Sequence, residues 1–302
     1  MNKKNIFHVL LGLFIAVCGH IFFYETEYTG PITPQDTIEV IAHRGFGVHG
    51  PDNSLVAATQ ALEQGLDGID VDGQLTADGE IVIFHDLNLN RLTSDSGPVA
   101  NKTLEELKAL DLGPKFSDGI SGAYISSYED FLNMVAGRGI YMVELKVSET
   151  KDTGIEKKVI EIIQKHNAYD WIILSSFNPL VLWRLEKLDP DINTMMIFMD
   201  SNWNKELRTE IDDGVRVNLP WPLRQEPIRR IIRKIVKPDY LSVNFRVDKK
   251  TINRLMNKNW PIFLWTPNEE QNIAEALSKG PYGIITDQPL LGKAMRDAQQ
   301  DK

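Results

Sequence analysis

Short apolar runs alternate with amphipathic stretches along most of the chain. The strand-like runs lie at residues 38–43, 139–146, 171–177, 193–198, 239–245, 261–266 and 282–287, with two more inside residues 67–85. Stretches with apolar residues at helical spacing separate most of these runs. Alternation of strands and helices over about 250 residues is typical of a (β/α)8 barrel, so the pattern predicts an α/β fold of the TIM type.

Helix start signals support this reading. Ser54 and Asn178 stand where an N-cap is expected, with Pro179 in the first helical position. The pairs Thr103 with Glu106 and Ser126 with Glu129 have the spacing of capping boxes. These signals predict a helix after each of the four positions.

The segment GIDVDGQLTADGEIVIFHD, residues 67–85, departs from the regular alternation. Only a short turn joins its two strands, which is too short for a parallel crossover, so they should form an antiparallel hairpin. The strand that ends in His85 is then an addition to eight barrel strands, and the barrel is irregular. A doubly wound open sheet is the alternative, but no glycine-rich fingerprint follows the first strand.

Charged and polar residues collect where the predicted strands end. They are His43, Arg44, Asp70, Asp72, Glu144, Lys146, Trp265, Thr266 and Asp287. In a barrel, the carboxyl ends of the strands form the active-site face. Asp70 and Asp72 lie two apart, so they share one face of a strand and repel each other unless a cation or a proton intervenes. A hard metal ion fits this pair, whereas a solvated edge strand is the alternative.

The first 37 residues differ from the rest. Residues 6–24 carry no formal charge, Lys3 and Lys4 precede them, and Glu25 and Glu27 follow. The length and the flanking charges predict a single-pass membrane anchor over residues 1–28, with a cytoplasmic N-terminus and the barrel on the other side. A cleaved signal peptide, or a lipoprotein site at Cys18, is the alternative. Residues 29–37 read as a linker, and residues 38–302 as the barrel domain.

Bulk composition excludes some classes of function. The 302 residues carry a formal net charge of −9, which argues against a nucleic-acid partner. Cys18 is the sole cysteine, so an internal disulfide and a cysteine-based zinc site are both excluded.

One helical stretch is locally basic. Residues 226–238, EPIRRIIRKIVKP, place isoleucines on one face and arginines and lysines on the other. We expect an outer barrel helix with a solvated charged face, and a helix lying on anionic lipid is the alternative.

Seven motifs in order resemble those of the glycerophosphodiester phosphodiesterase family. They are AHRG (42–45), PDNS (51–54), residues 67–85, NRLTSDSG (90–97), VELK (143–146), WTPN (265–268) and GIITDQP (283–289). The match extends from residue 38 to about residue 295. The resemblance implies an irregular TIM barrel that hydrolyses glycerophosphodiesters to an alcohol and glycerol 3-phosphate, with a divalent cation and two histidines.

The resemblance also implies a role for each matching position. His43 and His85 match the catalytic pair, one of which deprotonates the attacking group while the other protonates the leaving alkoxide. Asp70, Asp72 and Glu144 match the ligands of a divalent ion, Mg²⁺ or Ca²⁺. The remaining matches are to residues that contact the substrate. Arg44 matches the phosphate-binding arginine, and Lys146 and Trp265 match positions in the substrate pocket.

Two positions depart from the family pattern, because glutamate is usual where Asp52 and Asp70 stand. Each aspartate shortens the carboxylate arm by one methylene. Metal affinity is therefore the least secure part of the resemblance, and a catalytically weakened binding or scaffold protein is one alternative. A lysophospholipase D that acts on lysophospholipids is another, suited to a membrane anchor.

Overall fold

The computed structural model describes residues 3–30, 37–116, 122–199 and 225–300. In these ranges, ten strands belong to one sheet: β1 Glu39–His43, β2 Gly68–Leu75, β3 Ile81–Ile83, β4 Ser126–Ser127, β5 Ile140–Leu145, β6 Ile172–Ser176, β7 Thr194–Phe198, β8 Tyr240–Asn244, β9 Ile262–Trp265 and β10 Gly283–Thr286. The described α-helices are Lys3–Phe23, Leu55–Glu63, Leu104–Lys108, Gly113–Phe116, Tyr128–Val135, Ile155–His166, Pro179–Leu188, Glu226–Val236, Lys249–Met256, Glu270–Ser278 and Pro289–Gln300.

Eight of the strands close into a parallel barrel. Their order around the barrel is β1, β2, β5, β6, β7, β8, β9 and β10, and β10 pairs with β1 to close it. Strand β3 pairs antiparallel with β2, and β4 with β3, outside the barrel. The predicted TIM barrel and its added hairpin are confirmed, and the open doubly wound sheet is excluded.

Alternation along the strands divides the core into two layers. Val40 and Ala42 of β1 belong to the layer between the barrel and its helices. Ile41 of β1 and Met142 of β5 belong to the layer that fills the barrel interior. Because side chains two residues apart share a face, His43 and Glu144 continue the interior rows of Ile41 and Met142 toward the carboxyl end.

The helix starts follow their sequence signals with one exception. Ser54 accepts from Ala57 N–H and Asn178 from Leu180 N–H, and Thr103 forms its capping box with Glu106. The predicted box of Ser126 with Glu129 is wrong by one residue. The helix Tyr128–Val135 is capped by Ser127 with Asp130, because Ser127 directly precedes the helix and its side chain accepts from Asp130 N–H.

The predicted single-pass membrane anchor is wrong. No helix in the described ranges combines the length and the apolar character needed to cross a bilayer. The helix Lys3–Phe23 forms, but it does not meet these requirements. Of the predicted linker 29–37, residues 31–36 lie outside the described ranges.

Residues 25–28, which fall inside the predicted anchor, pack against the barrel. Tyr28 N–H donates to the carbonyl of Lys258 over 2.8 Å, and the indole N–H of Trp260 donates to the carbonyl of Thr26 over 2.9 Å. The Tyr28 ring lies 5.2 Å from the Trp260 ring. Backbone and aromatic contacts together hold this segment across the end of the helix Lys249–Met256.

The side chain of Glu25 belongs to a buried cluster of charged residues. Its carboxylate receives two hydrogen bonds from Arg233, at 2.7 and 3.2 Å, and both side chains are almost completely buried. Glu226 pairs with the same arginine at 2.8 Å and with Arg254 at 2.7 Å. Two carboxylates therefore satisfy guanidinium groups that would be costly to bury alone.

This cluster reverses the expected orientation of the basic helix. Arg229 and Arg233 of the helix Glu226–Val236 are buried, and their guanidinium groups lie over the ring of Phe198. Ile235 is instead 60% exposed. The expectation of a solvated charged face is wrong, because the arginines have carboxylate and aromatic partners on the barrel side.

Loss of the Glu25 carboxylate should destabilise the barrel. We expect Glu25→Gln to lower the free energy of unfolding by about 3 kcal/mol, since it leaves Arg233 buried with one carboxylate fewer. Urea unfolding of the full chain measures this. Glu27→Gln is the matched control, because Glu27 is exposed and contacts Asn259 at 3.3 Å. Equal unfolding curves for wild type and Glu25→Gln would contradict the assignment.

Candidate active site

A cavity of about 230 Å³ opens at the carboxyl end of the barrel. Seven of the eight predicted site residues line it: His43, Arg44, Asp70, Asp72, His85, Glu144 and Trp265. Lys146, the eighth, is buried beside it and contacts Asp72 at 3.3 Å. The structure therefore brings together residues that are up to 222 positions apart in the sequence.

Strand register aligns the three predicted metal ligands. Asp72 of β2 lies opposite Glu144 of β5, and Asp70 lies opposite Met142. On the other side of β2, Asp70 lies opposite His43 of β1. The three carboxylates thus occupy neighbouring positions on the same face of adjacent strands, which is the consequence of the two-residue period that the sequence displayed.

The chemistry of these carboxylates suits a hard cation. Burial, with a further contribution from Asp72, raises the pKa of Asp70 to about 7, although His43 and Lys146 oppose the shift. A divalent cation would relieve the repulsion that a proton otherwise relieves, and all-oxygen donors are those that Mg²⁺ and Ca²⁺ prefer. In the described ranges, however, no three acidic, histidine or cysteine side chains converge closely enough to hold a metal ion.

Asp72 is held by two side chains. Asn53 donates from its amide to one carboxylate oxygen and accepts from the Asp72 backbone N–H, each over 3.0 Å. The ammonium of Lys146 lies 3.3 Å from the other carboxylate oxygen and 3.9 Å from Glu144. Burial alone would raise the pKa of Asp72, but Lys146, His85 and Arg44 together with the Asn53 hydrogen bond lower it by more, and the carboxyl remains ionised.

His43 faces a carboxylate at the end of the last strand. Its Nδ1 lies 2.6 Å from Asp287, which also accepts from the Asn268 amide over 2.6 Å. A carboxylate only accepts, so Nδ1 carries the proton. Burial alone would lower the pKa of His43, but Asp287 raises it by more. The opposite sign holds for Asp287, where His43 outweighs burial and lowers the pKa.

His85 lies between a carboxylate and a guanidinium group. Its Nδ1 lies 2.7 Å from Asp86, and its Nε2 lies 2.9 Å from Nη2 of Arg44. A guanidinium has no acceptor, so Nε2 must carry a lone pair and Nδ1 the proton. Burial, followed by the charge of Lys146, lowers the pKa of His85 to about 4. The pKa values of the two histidines are thus shifted in opposite directions. His43 favours the cationic ring and His85 the neutral ring.

Arg44 stands at a bend between β1 and the cavity. Its φ of 53° is left-handed, and the carbonyl of Arg44 accepts from Asn53 N–H over 2.7 Å, which holds that conformation. Its Nη1 donates to Asp52 over 3.0 Å. Asp52, one of the two departures from the family pattern, therefore contacts Arg44 rather than the three carboxylates.

Signals for the supporting residues are weak in the sequence. Asp287 is among the residues at the predicted strand ends but received no role, and Asp86 follows His85 directly, so its position could have suggested it. Asn53 and Asn268 lie in loops that carry no periodic pattern. The opposite wall of the cavity, lined by Phe177, Ile197 and other residues of the later strands, was likewise not predicted as part of the site.

Comparison with known proteins identifies the family. Residues 43–291 match the model of the glycerophosphoryl diester phosphodiesterase family. A glycerophosphodiester phosphodiesterase from Caldanaerobacter subterraneus is 29% identical over 254 residues, 83% of this chain and 94% of the relative. One from Bacillus altitudinis is 32% identical over 253 residues, 83% of this chain and 95% of the relative. The chain belongs to this family and is a phosphoric diester hydrolase.

Solved structures share the fold. A phosphodiesterase from Oleispira antarctica, in complex with the product sn-glycerol-3-phosphate, superposes with a TM-score of 0.70 at 22% identity, over 86% of this chain and 97% of the other. A glycerophosphodiester phosphodiesterase from Agrobacterium tumefaciens gives 0.65 at 22% identity, over 85% and 99%. These likenesses support the assignment of the barrel fold.

Removal of the Asp287 charge should impair turnover without unfolding the barrel. We expect Asp287→Asn to lower kcat by at least about 10² fold, because a neutral amide no longer stabilises protonated His43. Steady-state hydrolysis of glycerophosphocholine gives kcat, and thermal unfolding reports integrity. Asp297→Asn is the control, since Asp297 is half-exposed and pairs with Arg296 and Lys293 away from the cavity. A normal kcat for Asp287→Asn would refute the role of this carboxylate.

Proposed function

We propose that this protein hydrolyses glycerophosphodiesters to an alcohol and glycerol 3-phosphate. The observation that carries the proposal is a pair of histidines whose surroundings shift their pKa values in opposite directions, both of which line one cavity with an arginine and three carboxylates. Family membership supports the same reaction. A phosphodiester needs a base for the attacking group, an acid for the leaving alkoxide and positive charge for the phosphoryl oxygens.

The two histidines divide the proton transfers. His85 is neutral, and its Nε2 lone pair accepts from Nη2 of Arg44 in this structure. Once this guanidinium nitrogen turns to a phosphoryl oxygen, Nε2 takes the proton from the attacking group. His43 is the proton donor to the leaving alkoxide, because Asp287 favours its charged form. Groups whose surroundings push their pKa values apart are the usual acid and base of a site.

Arg44 is the phosphate-binding side chain in this proposal. Its guanidinium lines the cavity and can offer two parallel donors to phosphoryl oxygens. Asp70, Asp72 and Glu144 would hold a divalent ion, Mg²⁺ or Ca²⁺, which when bound would neutralise charge on the phosphoryl group. Lys146 keeps Asp72 ionised, and Trp265 supplies an apolar wall beside Phe177, whose ring lies 5.7 Å away.

The size of the cavity favours a small substrate. At about 230 Å³ it is smaller than the roughly 300 to 1,000 Å³ of pockets that enclose drug-sized ligands. A glycerophosphodiester with a short alcohol therefore fits better than a lysophospholipid with its acyl chain. Release of choline from glycerophosphocholine, and none from lysophosphatidylcholine, is the expected result. Release from neither, with metal ions added, would favour the scaffold alternative.

Both histidines should be needed for turnover. We expect His43→Ala and His85→Ala each to lower kcat by at least about 10² fold, which is typical of a lost acid or base. His166→Ala is the matched control, because His166 pairs with Glu129 at 2.6 Å on the outside of the barrel. An unchanged kcat in either cavity variant, with normal thermal unfolding, would defeat the proposed mechanism.

The carboxylates should act as one cation site. We expect a chelator to abolish hydrolysis and a divalent ion to restore it, and Asp72→Asn to weaken metal binding measured by calorimetry. Asp70→Glu is the diagnostic change. If the site has adapted to the shorter arm, the longer side chain should weaken metal binding. Full activity in excess chelator would contradict the cation site.

A further inference from the structure

Five side chains at one rim of the cavity form a closed ring of hydrogen bonds. Arg44 contacts His85 at 2.9 Å, and His85 contacts Asp86 at 2.7 Å. Arg91 donates from Nε and Nη2 to the two oxygens of Asp86, over 2.7 and 3.0 Å. The same Nη2 lies 3.0 Å from Asp52, which returns to Arg44 at 3.0 Å.

Arg91 occupies a distinct place in this ring. It lies in the short 3-10 turn Leu89–Arg91 after β3, its side chain is 46% exposed, and it does not line the cavity. Within the described ranges, it is nevertheless the single side chain that joins Asp86 to Asp52. Through Asp86 it reaches the proposed base, and through Asp52 it reaches the proposed phosphate-binding arginine.

The backbone around His85 is fixed by a different residue. The Gln74 amide donates to the carbonyls of Phe84 and Asp86, over 2.6 and 2.9 Å. Loss of Arg91 would therefore leave the path of the chain intact and would free the Asp86 carboxylate to turn. His85 would then lose the acceptor at Nδ1 that, together with the Arg44 donor at Nε2, keeps its proton on Nδ1.

We propose that Arg91 is a positioning residue that locks the orientation and tautomer of His85. The proposal rests on the function proposed above, in which His85 takes a proton from the attacking group. A guanidinium suits the position because it binds one carboxylate with two parallel bonds and still reaches a second, which a lysine ammonium cannot do in the same geometry.

The first measurement is kinetic. We expect Arg91→Ala to lower kcat on glycerophosphocholine on the order of 10² fold, the scale of a misplaced catalytic group, while KM changes little. Arg44 keeps its bond to Asp52, so phosphate binding survives. Added guanidinium ion should restore part of the lost kcat, because the vacated site is open to solvent. Arg138→Ala is the control, since Arg138 is exposed and bonds to the backbone carbonyls of Met134 and Val135.

The second measurement reads the tautomer without turnover. In ¹⁵N-histidine-labelled protein, the His85 signals, identified by their loss in His85→Gln, should show a protonated Nδ1 and a bare Nε2. In Arg91→Ala the two nitrogens should shift toward a mixture, and in Arg138→Ala they should not. An unchanged kcat in Arg91→Ala, or a lowered kcat with unchanged His85 signals, would overturn the proposal. A wild type that hydrolyses no glycerophosphodiester would refute the proposed function alone, because the ¹⁵N signals still decide the role of Arg91.

Discussion

Charges that enter the mouth of the barrel are stable only with partners of opposite sign, and this constraint governs the arrangement of the whole site. An unpaired ion costs several kcal/mol in such surroundings. Asp287 pairs with His43, Lys146 with Asp72, and Asp52 with Arg44. Each pairing also fixes the orientation or the protonation state of a side chain. The interactions that stabilise the buried charges therefore also set the state in which these side chains would react.

Asp70 stands apart in this scheme. Its neighbours do not fully offset its burial, and its pKa rises to about 7. A carboxyl that is half protonated at neutral pH is a position where a divalent cation would replace a proton. The other departure from the family pattern, Asp52, does have local partners, because its carboxylate accepts from Arg44 and Arg91.

The barrel and most of its site could be predicted from sequence, because both depend on short-range periodicity. Strand alternation places Asp70, Asp72 and Glu144 on one face, and the carboxyl ends of parallel strands meet by construction. The ring through Arg91 could not be predicted, since loop side chains meet through tertiary packing that no period records. The buried arginines of the helix Glu226–Val236 were misjudged for a related reason. Their partner Glu25 lies about 200 residues away, in a segment whose apolar neighbours suggested a membrane anchor.

The central claim is that the site catalyses hydrolysis at phosphorus and cleaves the bond between phosphorus and the oxygen of the alcohol. Hydrolysis of glycerophosphocholine in ¹⁸O-labelled water, followed by ³¹P NMR, tests it directly. The account predicts glycerol 3-phosphate whose phosphorus resonance carries the ¹⁸O isotope shift, together with unlabelled choline. Phosphocholine as the product, or glycerol 3-phosphate without the isotope shift, would contradict it.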